Sequence, residues 1–288
     1  MRYCGDMPRA IDVHVHVHLA ESHPGELVDP LERYFRVSLR EVTVDSTADL
    51  YRRLDVQAVI FMIDFETASG FPYPGNDIVA EAARQHPDVF TGFASVDPWK
   101  GEAALRELDR SVRELGLRGL KLHPGLQGFT PNERRFGPLY AKCVELGIPL
   151  IIHTGHTGIG AGVRGGGGVR LGHGRPIYLD DVAVEFPDLT IIMAHPAWPW
   201  HEEQLSVAMH KPNVYIDLSG WSPKYFPPAV VQYANTLLQD RVLFGSDYPV
   251  ISPERWLRDF ETVPFRDEVR PKILLENARR VLGLDSAD

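Results

Sequence analysis

The sequence has few of the features that mark secreted or membrane proteins. Its 288 residues include only two cysteines, Cys4 and Cys143, so no disulfide framework is indicated and a cytoplasmic location is expected. The longest clean apolar run, residues 58–63, is far too short to span a bilayer. The N-terminal residues contain no long apolar stretch, and we therefore expect neither a signal peptide nor a membrane partner.

Basic residues are also outnumbered. The chain has 30 lysines and arginines against 39 aspartates and glutamates, a net charge of −9. Proteins that bind nucleic acid usually carry a basic face, so nucleic acid is not an expected partner. A small anionic substrate remains compatible with this charge, because one or two local guanidinium groups are enough to bind a carboxylate.

Short apolar runs alternate with helical patterns along the chain. Eight such runs lie at residues 10–17, 57–63, 89–96, 117–123, 148–154, 189–195, 214–219 and 241–247. They are rich in β-branched and aromatic residues, as buried parallel strands are. The alternation predicts an α/β protein with one (β/α)8 barrel domain over residues 1–288. A doubly wound sheet is the rival, but its first strand usually leads into phosphate-binding glycines, and here histidines stand at that place.

Two connections are long, residues 18–45 after the first strand and 155–176 after the fifth. Both leave the carboxyl ends of strands, where barrels build their active sites. The second is rich in glycine and carries Arg164, Arg170 and Arg175. It could be a mobile lid that brings these arginines to a carboxylated substrate. It could instead be a plain surface loop, or a subunit contact in a homodimer.

Several predicted strands end in side chains that bind metal ions. The first strand carries His14 and His16, the fifth ends at His153, the sixth at His195 and the eighth at Asp247. A barrel brings these strand ends together around one axis, and imidazole with carboxylate suits Zn²⁺ or a similar divalent ion. Any one of these residues alone would be weak evidence, but the combination predicts a metal site.

Strict strand alternation would place two more polar residues on the same face as His14 and His16. Asp12 lies one step deeper and could orient a ligand from below. His18 lies one step further along, roughly 6–7 Å beyond His16, and would overshoot the metal. His18 would then face the substrate or have no role at the site.

The segments "IDVHVH", "GLKLHP", "PLIIHTG", "MAHPAW" and "VLFGSDYP" occur in this order. Together they resemble the amidohydrolase superfamily, and within it the amidohydrolase-2 branch, which includes aminocarboxymuconate-semialdehyde decarboxylase, γ-resorcylate-type decarboxylases and several hydrolases. The resemblance covers nearly the whole chain. It implies a distorted barrel with one catalytic divalent ion, zinc as the first expectation and manganese as the second. The implied ligands are His14, His16, His153 and Asp247, with His195 as an unligated acid or base.

Further residues are candidates for substrate binding. Lys121 and His123 share a face in "LKLHP". In binuclear amidohydrolases a carboxylated lysine at this strand end bridges two metals, whereas the resemblance to the mononuclear branch implies an unmodified Lys121 that contacts substrate or a carboxylate. Trp198, Trp221 and Tyr248 follow strand ends and favour a planar substrate, although aromatic clusters more often serve packing.

Two reactions fit this set of residues. The first expectation is hydrolysis by a metal-activated water, with Asp247 taking the water proton and His195 stabilising the oxyanion or protonating the leaving group. The alternative is non-oxidative decarboxylation of an aromatic or muconate-type acid, with proton delivery to carbon. A metal-binding protein without catalysis is disfavoured, because His195 would then have no reason to stand beside the metal.

Overall fold

The computed structural model describes residues 7–17, 25–38 and 42–284, with the side chains of residues 25–28 left aside. His18 and most of its neighbours lie outside the described residues, so the prediction for His18 stays a prediction. Among the helices of the described segments, none combines the length and apolar character needed to cross a membrane.

The described residues form eight strands, one in each of the eight predicted runs. They are β1 Ala10–His16, β2 Val56–Phe61, β3 Phe90–Gly92, β4 Leu120–Leu122, β5 Leu150–His153, β6 Ile191–Ala194, β7 Val214–Asp217 and β8 Val242–Leu243. All of their pairings are parallel, in the orders β1-β2-β3 and β4-β5-β6-β7-β8.

Two parallel bridges join these sheets into a closed barrel. Ala94 pairs with Leu120 between β3 and β4, and Val15 pairs with Tyr248 between β1 and the segment after β8. The predicted (β/α)8 barrel is therefore confirmed.

Helices fill the connections on the outside. The α-helices are α1 Gly25–Phe35, α2 Val44–Leu54, α3 Glu66–Ser69, α4 Asn76–Gln85, α5 Glu102–Arg113, α6 Pro124–Gln127, α7 Gly137–Leu146, α8 Tyr178–Glu185, α9 His201–His210, α10 Pro228–Ala234, α11 Pro253–Phe260 and α12 Asn277–Val281. Short 3₁₀ turns lie at Pro98–Lys100, Arg134–Phe136, Arg164–Gly168, Leu171–Gly174 and Pro223–Tyr225, and a π-turn at Lys272–Glu276 precedes α12.

Helix boundaries follow local chemistry. The Ser252 hydroxyl accepts a hydrogen bond from the Arg255 backbone N–H, which caps α11 at the predicted Ser-Pro start. The predicted glycine stop at Gly116 has φ +74°, the left-handed region that glycine enters without strain. These signals set where the helices begin and end. Because the strands pair in parallel, their carboxyl ends lie on the same side of the barrel.

The inner face of β1 is not set by simple alternation. Its pairing register with β2 shifts between Asp12 and Val15, as a β-bulge would produce. Within the shifted stretch, Val13 packs in the cluster inside the barrel. After it, Val15 packs in the outer cluster under the helices, so that His14 faces inward. Two consecutive residues, Val13 and His14, therefore both contribute to the interior.

Candidate metal centre and active site

The register shift separates Asp12 from the histidine face. Asp12 accepts hydrogen bonds from the Tyr51 hydroxyl at 2.7 Å and from the backbone N–H groups of Ser246 at 2.9 Å and His14 at 3.1 Å. The expectation that Asp12 stands below the metal is therefore corrected: it ties the backbones of β1 and the segment after β8 to helix α2.

Three side chains meet where β1 and β8 end. The His16 Nε2 lies 3.1 Å from the Asp247 carboxylate, and the His14 Nε2 lies 3.4 Å from the same oxygen. On the far side of its ring, the His14 Nδ1 lies 2.9 Å from the Asp217 carboxylate. Because a carboxylate only accepts, Nδ1 carries the proton, and the lone pair of Nε2 faces the cavity.

His153 and His195 extend this group across the barrel. The His195 Nε2 lies 3.0 Å from the His153 Nδ1. The His195 Nδ1 lies 3.1 Å from the Ser219 carbonyl, which can only accept, so this nitrogen donates. The His153 Nε2 is buried and, among the described residues, has no hydrogen-bond partner. A buried imidazole nitrogen of this kind at a cavity surface is available to bind a metal ion.

Burial keeps these imidazoles neutral. It lowers the pKa of His14 to about 3, with help from the nearby Lys121 ammonium and against the attraction of Asp217. Burial likewise holds the pKa of His153 well below its usual range and lowers the pKa of His195. Neutral imidazole is the form that binds metals.

The two carboxylates stay ionised at the same site. Burial raises the pKa of Asp217, but the interactions with His14 outweigh it and hold that pKa well below the usual range. For Asp247 burial acts in the same direction, and the hydrogen bond with His16 together with the attraction of His14 reverses it. Neutral imidazoles beside ionised carboxylates suit a divalent cation of the Zn²⁺ or Mn²⁺ type.

The donor set fits one ion near the end of β1. His14, His16 and Asp247 form one compact group of potential ligand atoms, all within 4.8 Å of one another. His153 stands outside that group but offers its unpartnered Nε2 to the same cavity. His14, His195 and Asp217 form a second compact group. Since His14 uses Nδ1 on Asp217, we interpret that contact as support for a ligand, not as a second metal site.

Lys121 stands on the floor of the cavity. Its Nζ lies 3.1 Å from the His14 Nε2 and 4.7 Å above the centre of the Phe61 ring. Burial lowers its pKa to about 8, while the charges of Asp217 and Asp247 act against that fall. The amine therefore lies next to the cavity-facing nitrogen of His14 and itself lines the cavity.

His123 forms a wall beside the floor. Its ring stacks on the His153 ring, with centroids 3.8 Å apart and 7° between planes. Its Nδ1 accepts from the Leu126 backbone N–H, which caps the short helix α6. The stack fixes the plane of the His153 ring, so His123 acts on the site through His153 as well as through its own cavity surface.

The end of β7 supplies residues that the sequence analysis missed. Asp217 accepts from the Ser219 backbone N–H at 2.8 Å, and the Ser219 hydroxyl lies 3.0 Å from the His14 Nδ1 and 2.9 Å from the His195 Nδ1. One strand end thus supports both imidazoles. The segment "VYIDLS" contains the signal, an aspartate near the carboxyl end of the predicted seventh strand.

The backbone here is shaped for close approach. His195 and Asp247 have φ of +70° and +67°, a left-handed conformation that costs non-glycine residues free energy and clusters at functional sites. A Cβ atom at Gly220 would lie 2.6 Å from the His195 Nδ1. Only glycine therefore lets the chain pass so near that ring.

Above this floor lies a cavity of about 410 Å³. Its polar lining includes His14, His16, Lys121, His123, His153, His195 and Asp247. The larger part is apolar and aromatic, including Leu31, Tyr34, Phe35, Met62, Phe65, Phe71, Tyr73, Trp198, Trp221 and Val250. A cavity of this size with a few converging polar groups is typical of small-molecule sites.

Comparison with known proteins agrees with this geometry. The amidohydrolase family model matches residues 11–284, nearly the whole chain. The chain belongs to the amidohydrolase family. A γ-resorcylate decarboxylase of Rhodococcus jostii is 23% identical over 273 residues, which cover 81% of this chain and 82% of the relative.

Solved structures show the same barrel. An uncharacterized TIM-barrel protein from Bordetella bronchiseptica superposes with a TM-score of 0.80 at 27% identity, covering 95% of this chain and 98% of the other. A dihydroxybenzoic acid decarboxylase from Polaromonas, with bound manganese and the inhibitor 2-nitroresorcinol, superposes with a TM-score of 0.69 at 20% identity, covering 96% and 98%.

The amidohydrolase cavity includes some of the predicted substrate-binding residues and leaves out others. Trp198 and Trp221 line it, as do Lys121 and His123. Tyr248 does not; its ring packs against Tyr51 instead, with centroids 6.1 Å apart.

In the glycine-rich connection after β5, too, only some residues line the cavity. Its first residues, 156–159, line the cavity, whereas Arg164, Arg170 and Arg175 are not among the lining residues. Arg164 and Arg170 are exposed, and Arg175 forms an ion pair with Glu203 on α9. The lid and the subunit contact both remain predictions.

Proposed function

We propose that this amidohydrolase is a divalent-metal-dependent, non-oxidative decarboxylase of small hydroxylated aromatic acids. The observation that carries the proposal is the floor of neutral imidazoles and ionised carboxylates beneath a largely aromatic cavity. The γ-resorcylate decarboxylase, matched over four fifths of the chain, supports this chemistry. Hydrolysis, the first expectation from the sequence, has less support among the relatives.

The proposed ligands are His14, His16, His153 and Asp247. When bound, a divalent ion would polarise the substrate carboxylate and its neighbouring hydroxyl and stabilise negative charge on them. Zinc and manganese both suit these nitrogen and oxygen donors. Manganese is the ion in the related Polaromonas structure, so both metals are tested below.

His195 is the proposed proton donor. Its Nδ1 donates to the Ser219 carbonyl, so the exchangeable position is Nε2. Nε2 has no proton in the neutral ring and first takes one from solvent, and the nearby charges of Asp247 and Asp217 favour this protonated form. The bond between ring carbon and carboxylate breaks, its electron pair stays on the ring carbon, and CO₂ leaves. That carbon then takes the Nε2 proton, and His195 returns to its neutral form.

Lys121 is the proposed anchor for the acid. Its amine lies at the floor beside His14, where the carboxylate or an adjacent phenolic oxygen would arrive. The ionised Asp217 and Asp247 favour its charged form against burial, and that charge would attract the anionic substrate. Aromatic side chains above the floor would hold the ring of the substrate by packing against its faces.

The deciding experiment measures whether the substrate releases CO₂ or incorporates oxygen from water. Protein loaded with Mn²⁺ or Zn²⁺ is incubated with 2,6-dihydroxybenzoate in D₂O. We expect CO₂ and resorcinol in equal amounts, with deuterium at the carbon that lost the carboxylate. A parallel series of aryl esters and lactones in H₂¹⁸O tests hydrolysis. Label in hydrolysis products, with no CO₂ from any hydroxybenzoate, would overturn the decarboxylase and favour the hydrolase.

A further inference from the structure

The cavity has two chemically different ends, and burial tells them apart. At the floor, His14 is fully buried and His195 is 7% exposed. At the mouth, Tyr34 is 48% and Trp198 47% exposed, although both line the same cavity. A ligand held by its acid group at the floor would therefore extend toward these aromatic residues.

The mouth is a connected aromatic cluster. The Tyr34 hydroxyl lies 3.4 Å from the His156 Nε2, and the His156 ring packs edge-on against Trp198 with centroids 5.5 Å apart. Trp198 in turn lies 6.2 Å from Trp221, measured between ring centres. These four side chains come from α1 and the connections after β5, β6 and β7, and we call them the mouth cluster.

Helix α1 packs closely against the loop after β5 because that loop has a glycine at the contact. A Cβ atom at Gly158 would lie 2.3 Å from the Phe35 ring and 2.8 Å from the Tyr34 ring. The Phe35 and Tyr34 rings pack edge to face, 4.9 Å apart. The glycine therefore lets two aromatic rings of α1 descend onto the loop that lines the cavity. The result is an apolar surface facing the ligand, at the opposite end from the charged floor.

We propose that the mouth cluster is a second subsite, which binds an apolar alkyl or aryl substituent of the substrate. The inference rests on the proposed function, since it takes the acid group to bind at the floor. In a benzoate whose carboxylate and flanking hydroxyl meet the floor, the ring position opposite the carboxylate points along the cavity to the mouth. The preferred substrates are then hydroxybenzoates with an apolar group at that position.

Binding of unreactive analogues tests the subsite without turnover. The probes are 2-nitroresorcinol and its 5-methyl, 5-propyl and 5-pentyl derivatives, in which the alkyl group stands opposite the nitro group. Titration calorimetry with manganese-loaded protein gives each Kd. Burial of each added methylene should tighten binding about 3- to 4-fold until the chain reaches solvent. A Kd that stays flat or rises with chain length would overturn the subsite.

Variants locate the effect. Trp198→Ala and Tyr34→Ala should flatten the dependence of Kd on chain length, whereas Tyr225→Ala, a change at another exposed tyrosine that lies outside the cavity, should keep it. Tyr34→Lys places a cation at the mouth. It should weaken the pentyl compound and tighten 3,5-dihydroxy-4-nitrobenzoate, which carries a carboxylate opposite the nitro group, a gain that misfolding cannot produce.

The outcomes separate the two proposals. Release of CO₂ from 2,6-dihydroxybenzoate together with a flat alkyl series would overturn the subsite and leave the decarboxylase standing. A steep alkyl series in a protein that releases no CO₂ from any hydroxybenzoate would support the subsite and overturn the decarboxylase. An unchanged series in both mouth variants would also overturn the assignment, because the binding would then lie elsewhere.

Discussion

The strand ends of the barrel and the glycine-rich connection after β5 both drew attention in the sequence, and they behave differently. His14, His153, His195 and Asp247 all face one cavity, as the alternation of strands and helices predicts. In the connection, only residues 156–159 line that cavity, and its arginines do not. A strand end inherits its position from the pairing of the whole barrel, whereas a loop side chain depends on local contacts that a single sequence does not reveal.

The largest effect is expected when the proposed metal ligands at the cavity floor are removed. Changing His14→Ala together with His16→Ala should abolish detectable turnover and reduce the bound metal from about one ion per chain to a trace, because both are proposed ligands on one strand. Elemental analysis of the purified proteins measures this. His210→Ala, at the end of α9, is the control and should keep its metal. Full metal content in the double variant would refute the ligand assignment.

His195 separates catalysis from metal binding on the same floor. His195→Ala should lower kcat by about 10²- to 10⁴-fold, the usual contribution of a general acid, and should retain the ion. Steady-state kinetics and metal analysis on the same preparation check both parts. A metal-free variant would instead make His195 a ligand and revive the two-metal alternative with Lys121 as bridge.

The residues that support these two histidines show the limit of sequence reasoning. Strand alternation placed Asp12 beside His14, but the register shift in β1 turns it toward α2. The contacts proposed for Asp12 are made instead by Asp217, at the end of β7, and by Ser219 just beyond it. A one-residue shift in pairing leaves no mark in the hydrophobic pattern, and β7 lies about 200 positions from β1, so neither could be inferred from spacing.

A smaller effect is expected from this support. Asp217→Asn should weaken metal binding about 10- to 100-fold, because the amide is a poorer acceptor for the His14 Nδ1–H than the carboxylate. Ser219→Ala should lower kcat with little change in KM, since its hydroxyl touches both imidazoles but lines no part of the cavity.

Competition with a chelator measures the metal affinity of these variants. Ser222→Ala is the matched control, because it lies on the same connection and its hydroxyl donates to Asp259, away from the histidines. Equal losses in Ser219→Ala and Ser222→Ala would mean that the β7 connection acts only through stability.

The sequence predicted those features that follow from the repeated alternation of strands and helices. Eight runs indicated eight strands, and strand ends of the right chemistry indicated a metal site, with Lys121 and His123 on one face. The orientation of Tyr248 and of the loop arginines could not be predicted in this way. Tyr248 follows a strand end as Trp198 does, yet it packs on Tyr51, a partner that only the folded chain defines.

The smallest effect is expected from the arginines of the connection. Arg175 is held by Glu203 on α9, and Arg164 and Arg170 are exposed away from the cavity lining. Single Arg→Ala changes at these positions should therefore alter KM for 2,6-dihydroxybenzoate by less than about 2-fold, because none of the three lines the cavity and an exposed ion pair such as Arg175–Glu203 contributes little. Steady-state kinetics and sedimentation of each variant test this.

A KM that rises sharply in one variant would mean that the connection closes over the bound substrate and brings that guanidinium to its carboxylate. Loss of an oligomer with unchanged KM would instead identify the connection as a subunit contact. Either result would show that the function of this loop, like that of the strand ends, could be predicted from the sequence.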